Sequence, residues 1–195
     1  SYSGAGSEAV GRTVAFYGFD TVKIGEQFEV VGGVRWDRFD AETSSTTAAG
    51  VTSGFDRTDN LLSWNAAFVS KPVKFGSFYI SAGTSYNPSA ESLAGALNAT
   101  TSNTEPQKNV TYEIGTKWDV LNEKLSLTAA LFRTQKSNVR DTDAAGNTVI
   151  LSGERQTQGL ELGVSGDITK EWSVFGGYTY IDSEVTKALQ NQGNE

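Results

Sequence analysis

The sequence has no cysteine and no histidine, and only three prolines among 195 residues. Without cysteine, neither a disulfide framework nor a thiolate metal site can form. Without histidine, the commonest general base and the commonest transition-metal ligand are missing. No apolar run approaches the roughly 20 residues of a membrane-spanning helix. No basic start or apolar h-region opens the chain, whose first residues are Ser1-Tyr2-Ser3-Gly4-Ala5-Gly6, so an exported protein is expected here as a processed or partial chain. Positive charge is also scarce. A net charge of −7 and a pI near 4.7 leave no basic patch for a nucleic-acid partner.

What is present is alternation. In Phe28-Glu29-Val30-Val31-Gly32-Gly33-Val34-Arg35-Trp36-Asp37, every second residue from Phe28 is uncharged, while Glu29, Arg35 and Asp37 fall in the other set. A period of two is the signature of a β-strand with two different faces. The pattern predicts about eight strands: Thr13–Ile24, Gln27–Asp40, Arg57–Ser70, Ser77–Asn87, Val110–Leu121, Lys124–Asn138, Thr148–Ser165 and Glu171–Asp182. Four connections are tight, at Gly25-Glu26, Lys71 to Lys74, Asn122-Glu123 and Asp167 to Lys170. The alternate ones, Ala41–Asp56, Pro88–Asn109 and the polar tip around Asp141–Gly146, are long. No helix is expected beyond a turn within Ser89–Leu97. Residues 1–12 read as a flexible start, 13–182 as the strands, and 183–195 as a further loop.

Parity sorts seven of the strands. One face carries Phe28, Val34, Trp36, Leu62, Trp64, Ala66, Phe68, Phe78, Ile80, Tyr86, Tyr112, Ile114, Trp118, Leu127, Leu131, Leu160, Leu162, Trp172, Tyr178 and Tyr180, without a charge. The opposite face carries Glu29, Arg35, Asp37, Glu113, Lys117, Asp119, Arg155 and Glu161, with small residues such as Gly33, Gly83, Gly115, Gly163 and Gly177 between them. The first strand has no clean face. Alternation alone also fits a soluble β-sandwich. The aromatic residues separate the two. Phe28 and Trp36, Phe78 and Tyr86, and Trp172 and Tyr180 are same-face pairs eight residues apart. At a tilt near 40° that spacing covers roughly 20 Å, close to the band of about 25 Å between the aromatic girdles of a transmembrane barrel. A short-turn girdle of Phe28, Phe68, Phe78, Trp118 and Trp172 and a loop-end girdle of Trp36, Tyr86, Tyr112 and Tyr180 are expected to face outer-membrane lipid. The expected fold is all-β, an antiparallel up-and-down meander of about eight strands in a transmembrane β-barrel. An arginine at Ile114 or Ala66 is then expected to be costly, and one at inward Gly115 milder.

The segments Tyr17-Gly18-Phe19-Asp20-Thr21, Gly33-Val34-Arg35-Trp36-Asp37-Arg38-Phe39, Tyr86-Asn87-Pro88, Tyr112-Glu113-Ile114-Gly115-Thr116-Lys117, Gly159-Leu160-Glu161-Leu162 with Gly166, and Trp172 through Tyr178-Thr179-Tyr180 follow one another in an order that resembles the barrel of TonB-dependent siderophore receptors. The resemblance runs from Tyr17 to Asp182. It implies that the strands are an internal part of a larger transmembrane β-barrel, 22-stranded and closed around a plug domain, in the outer membrane of a Gram-negative bacterium. Its implied partners are the plug, the remaining strands, the TonB complex acting through the plug, and a ferric siderophore as transported ligand rather than a cofactor. The Phe-Asp-Thr and Arg-Trp-Asp-Arg-Phe wording leans toward the catecholate-type branch. Glu29, Arg35, Asp37, Glu113, Lys117, Arg155 and Glu161 become candidates for the lumen, facing the plug. The chain shows no plug, no TonB box and no aromatic-terminated last strand, and Pro106-Gln107 stands where the family has Pro-Glu. Two other readings are a self-contained eight-stranded barrel with a structural or adhesive role, and a soluble sandwich or lipocalin-like binding protein. Small residues at Gly33, Gly83, Gly115, Gly163 and Gly177 count against the first, because a narrow barrel needs bulkier filling.

Little points to catalysis or metal binding. Asp141-Thr142-Asp143-Ala144-Ala145-Gly146-Asn147 echoes a calcium loop but lacks its twelfth-position acid, which makes it a hairpin tip. Asn98-Ala99-Thr100 and Asn109-Val110-Thr111 match a glycosylation pattern that has no meaning in a bacterial barrel. Glu113 and Glu161 are the only carboxylates to be weighed as an acid–base pair, and they read as lumen charge. No enzyme activity is expected.

Overall fold

The computed structural model describes residues 4–88, 101–103, 105–142, 148–150 and 153–187. Eight strands form one antiparallel sheet in the order β1-β2-β3-β4-β5-β6-β9-β10. They are β1 Gly6–Ile24, β2 Phe28–Thr46, β3 Thr52–Val73, β4 Gly76–Asn87, β5 Gln107–Asp119, β6 Leu125–Ser137, β9 Glu154–Asp167 and β10 Ser173–Lys187. A separate two-stranded ladder pairs β7 Arg140–Thr142 with β8 Thr148–Ile150. The meander is therefore present. Among the described residues there is one layer with no second sheet packed on it, which removes the sandwich. Among the same residues the strand order is linear with no β1–β10 pairing, so these strands are an open wall and not a closed small barrel.

Several strand limits differ from those read in the sequence. The stretch Ala41–Asp56, expected as a loop, continues β2 and β3 as a paired hairpin as far as Thr46↔Thr52. Its turn bonds Gly50 N–H to Thr47 O at 2.9 Å, and Gly50 takes φ 77°, which suits glycine. β1 begins at Gly6 and β10 runs to Lys187, both beyond their expected ends. The expected strand Thr148–Ser165 is two elements: β8 belongs to the loop-end ladder and only β9 joins the wall. The extensions are mostly polar, with only isolated apolar residues such as Val10, Phe55 and Val185, so no hydrophobic alternation marks them although the backbone pairing continues. The predicted turn within Ser89–Leu97 and the tip residues 143–147 lie outside the described residues. A short 3-10 turn does form further along the same connection, at Thr101–Asn103.

The short-end turns are as tight as the sequence implied. Gly25 turns β1 into β2 with φ 65°. Between β5 and β6, Leu121, Asn122 and Glu123 all take positive φ, at 54°, 59° and 64°. A primed turn of this hand matches the right-handed twist of the flanking strands.

The sheet has almost no core of its own. Among the described residues the buried apolar side chains are Ala41, Leu61 and Val139, while Phe19, Tyr17, Ile80, Ile114 and Phe175 are exposed. A soluble domain of this size buries many more. Both faces must therefore meet something that the sheet itself does not supply.

Candidate functional site

Cross-strand register fixes which residues share a face. Ser81↔Glu113, Glu113↔Phe132, Phe132↔Gly159 and Gly159↔Ile181 form one row, and Lys23↔Glu29, Glu29↔Val69, Tyr79↔Gly115, Gly115↔Ala130 and Ala130↔Glu161 lie in the next. Continuing the parity puts Glu29, Arg35, Asp37, Glu113, Lys117, Asp119, Arg155 and Glu161 on a single face of one sheet. The aromatic residues Phe28, Trp36, Phe68, Phe78, Tyr86, Tyr112, Trp118 and Tyr180 all occupy the other, with Trp172 preceding β10 at the same parity. The rings make contacts within each rim: Phe28 stacks on Phe68 at 5.7 Å, Trp36 on Phe16 at 6.0 Å, and Phe78 meets Trp118 edge-on at 5.6 Å.

Register also sorts the strand that the sequence left unclear. Phe16↔Trp36, Gly18↔Val34, Asp20↔Gly32, Val22↔Val30 and Ile24↔Phe28 put Phe16, Val22 and Ile24 with the aromatic face, and Tyr17, Phe19 and Lys23 with the charged one. Asp20 is the single acidic intrusion between the two aromatic rims, and its Oδ1 accepts the Thr21 N–H at 2.8 Å.

The charged face is knitted internally. Arg35 clasps Asp37 through Nε and Nη2, with contacts down to 2.6 Å. Lys117 reaches Asp119 at 3.2 Å, and Lys71 reaches Glu29 at 2.6 Å. Tyr79 Oη donates to Glu113 Oε1 at 2.5 Å, and its ring lies over Gly115, where a Cβ would meet it at 2.5 Å. That contact corrects the expectation that Gly115 is an open inward position: a side chain there must displace Tyr79. Glu113 and Glu161 do not form a dyad. β6 lies between their strands and they differ by one row, which sets them roughly 10 Å or more apart. Among the described residues no cluster of acidic side chains could hold a metal ion. The central row has small and hydroxyl side chains: Gly33↔Asn65, Asn65↔Gly83, Gly83↔Thr111, Thr111↔Thr134 and Thr157↔Ser183, with hydroxyl pairs at 2.9 Å and 3.0 Å. Gly33 and Gly83 leave a shallow depression there, flanked by Tyr17, Phe19 and Arg35.

At the loop end of the same face lies a feature the sequence reading missed. Arg57 pairs with Asp59 at 2.7 Å, and Asp59 is only 4% exposed. Arg57 Nη1 also donates to the Ser102 carbonyl at 2.7 Å, which fastens the Thr101–Asn103 turn to β3. A signal for it was available. A basic residue followed two positions later by aspartate occurs at Arg35/Asp37, Arg38/Asp40, Arg57/Asp59 and Lys117/Asp119, and in a strand that spacing places both groups on one face.

Comparison with known proteins gives a consistent picture. A family described as "TonB dependent receptor-like, beta-barrel" matches residues 2–195. The catecholate siderophore receptor Fiu of Escherichia coli O157:H7 is 36% identical over 202 residues, covering 91% of this chain and 26% of that protein. The "Probable TonB-dependent siderophore receptor PiuA" of Acinetobacter baumannii is 36% identical over 187 residues, covering 92% of this chain and 25% of that protein. The crystal structure of PiuA superposes with a TM-score of 0.83 at 34% identity, over 93% of this chain and 27% of that one. The closed form of Fiu from E. coli K12 gives 0.82 at 30%, over 96% and 30%. The chain spans about a quarter of the length of the curated relatives it matches.

Proposed function

The chain belongs to the TonB-dependent receptor β-barrel family of the Gram-negative outer membrane, and from that premise we propose that it forms part of the wall of a receptor taking up ferric siderophores. The observation that carries this reading is the division of one open sheet into a face framed by two aromatic rims and a face of small and charged groups. The aromatic face meets lipid. The charged face lines the lumen and meets the plug, where Glu113, Arg155, Glu161 and the hydroxyl row offer hydrogen bonds of both polarities instead of a field of one sign. Arg35 and Asp37 reach it as a preformed pair. The plug in turn links the wall to the TonB complex. The names of the relatives favour a catecholate ligand.

Within this reading the residues act by shape and hydrogen bonding. Gly33 and Gly83 make room for the Asn65 side chain between them, so the wall stays low there and a folded plug can approach it. The Arg57 clasp holds part of the β4–β5 connection against the loop end of the lumen face. Among the described residues Glu113 and Glu161 do not pair and no metal-binding cluster forms, and the purified protein is expected to turn over ester, peptide or redox substrates no faster than buffer. The decisive experiment uses the complete receptor containing this chain, expressed in a strain lacking its own catecholate receptors. TonB-dependent uptake of iron from a ferric catecholate is expected, with no uptake from a ferric hydroxamate. Equal uptake of both, or of neither, overturns the ligand assignment.

A further inference from the structure

Above the loop-end rim, the lipid face of β5 and β6 carries two cations that no carboxylate neutralises. Arg133 lies directly across from Tyr112, and Lys108 lies four residues beyond Tyr112 on the same face, across from Ser137 and Tyr86. The Lys108 ammonium sits over the Tyr86 ring, 5.9 Å from its centroid. Arg133 donates through Nη2 to the Gln156 carboxamide oxygen. Among the described residues, Arg35, Arg38, Arg57, Lys71 and Lys117 each have a carboxylate within ion-pair distance. Lys108 and Arg133 do not, and unlike the similarly unpaired Lys23, Lys136 and Arg155 they lie on the aromatic face. Three acids lie on this face nearby. Glu154 of β9 is one residue beyond the Lys136↔Arg155 pair and engaged in a contact of its own. Glu184 and Asp182 of β10 are met by carboxamides: Gln156 Nε2 donates to Glu184 at 3.4 Å and Gln158 Nε2 to Asp182 at 3.5 Å. Gln156 therefore holds the guanidinium from one side and occupies Glu184 from the other.

We propose that Lys108 and Arg133 bind phosphate groups on lipid headgroups of the outer leaflet. The proposal rests on the reading that the aromatic face meets lipid and that the long connections lie outside. At this depth Tyr86 and Tyr112 mark the boundary between hydrocarbon and headgroups. Long basic side chains lie their stems along such a boundary and put their charge among the headgroups. Arginine's planar fork suits a phosphate, and lysine adds a compact second charge. Four residues of strand separate the two by roughly 13 Å. That spacing fits two distinct phosphates, on one large headgroup or on two neighbouring lipids.

The test is native mass spectrometry of the complete receptor in detergent doped with monophosphoryl lipid A, with dioleoylglycerol, which has no phosphate, as the comparison lipid. The variant K108Q/R133Q is expected to bind the phosphorylated lipid roughly thirtyfold more weakly, the combined effect of two cations at an anionic lipid surface. The variant K74Q/K170Q removes the same charge at the short-turn end and should leave binding unchanged. R133K keeps the charge but loses the fork, and should fall between wild type and the double variant. Inorganic phosphate at the same concentration should not displace the lipid. Equal losses in the two double variants, equal retention of both lipids, or displacement by inorganic phosphate would each overturn the proposal. Ferric-catecholate binding measured on the same samples reports separately on the receptor reading: its absence alongside intact lipid binding would count against that reading alone.

Discussion

Ile114 and Ala66 stand midway between the two aromatic rims, where an arginine has only its own length to bring its charge to water. Ile114→Arg or Ala66→Arg is expected to destabilise the complete receptor by roughly 2–4 kcal/mol. Thr128→Arg, exposed on the charged face across from Lys117 and Gly163, should cost far less. Equal costs for both faces in a folding titration into lipid vesicles would remove the lipid assignment. Gly115 no longer serves as the inward control, because Tyr79 occupies the space above it. Leu121 offers the opposite kind of change. Its φ of 54° places a non-glycine residue in the left-handed region, and its side chain is exposed. Leu121→Gly is expected to stabilise the β5–β6 hairpin by about 1 kcal/mol by relieving that strain, read as a higher midpoint in the same titration.

At the scale of the element, the β2–β3 hairpin projects past the aromatic rim and is held by polar contacts. Asp40 Oδ1 accepts the Thr58 hydroxyl at 2.6 Å across the strands, and Arg38 reaches Asp40 at 3.1 Å. The Thr58 hydroxyl first, and the Arg38 guanidinium second, hold the Asp40 carboxyl below its ordinary range. A group whose pKa is lowered on folding contributes stability above its unfolded value and loses it as the pH falls through the lowered one. Amide protection within residues 38–58, taken relative to the unfolded exchange rate at each pH, is therefore expected to fall below about pH 4, ahead of protection in the rim-to-rim segments. In Thr58→Val protection should be lower already at neutral pH and should fall less on acidification. Unchanged exchange in Thr58→Val would show that the Thr58 contact does not hold the hairpin. This element was hidden from the sequence for a physical reason. Ser44, Ser45, Thr46, Thr52 and Ser53 meet water on both faces, so no hydrophobic period marks a strand whose pairing is nonetheless continuous. The rim-to-rim segments were legible because an apolar face alternates there with a face of small and charged residues.

For the whole molecule the open edges dominate. Among the described residues β1 and β10 each pair on one side only, and long unpaired edges seek other strands. These 195 residues expressed alone are expected to aggregate, while the complete receptor should be a detergent-stable monomer. A monodisperse preparation of the isolated chain, with the outer-edge amides of β1 and β10 protected from exchange, would point to self-closure instead.

The sequence by itself determined which residues share each face in seven of the strands, since Phe28, Trp36, Phe78, Tyr86, Trp172 and Tyr180 carry their spacing wherever the strand is placed. It also determined the tight turns at one end and the absence of catalytic chemistry built on histidine or cysteine. Only the tertiary structure decided the pairings between strands: Tyr79 over Gly115 and against Glu113, Arg57 on Ser102, and Lys108 and Arg133 near two tyrosines with no acid to claim them. Parity is a property of one strand and survives in the linear order of residues. Register is a property of two strands, and a shift of one residue would exchange the side chains that meet across them.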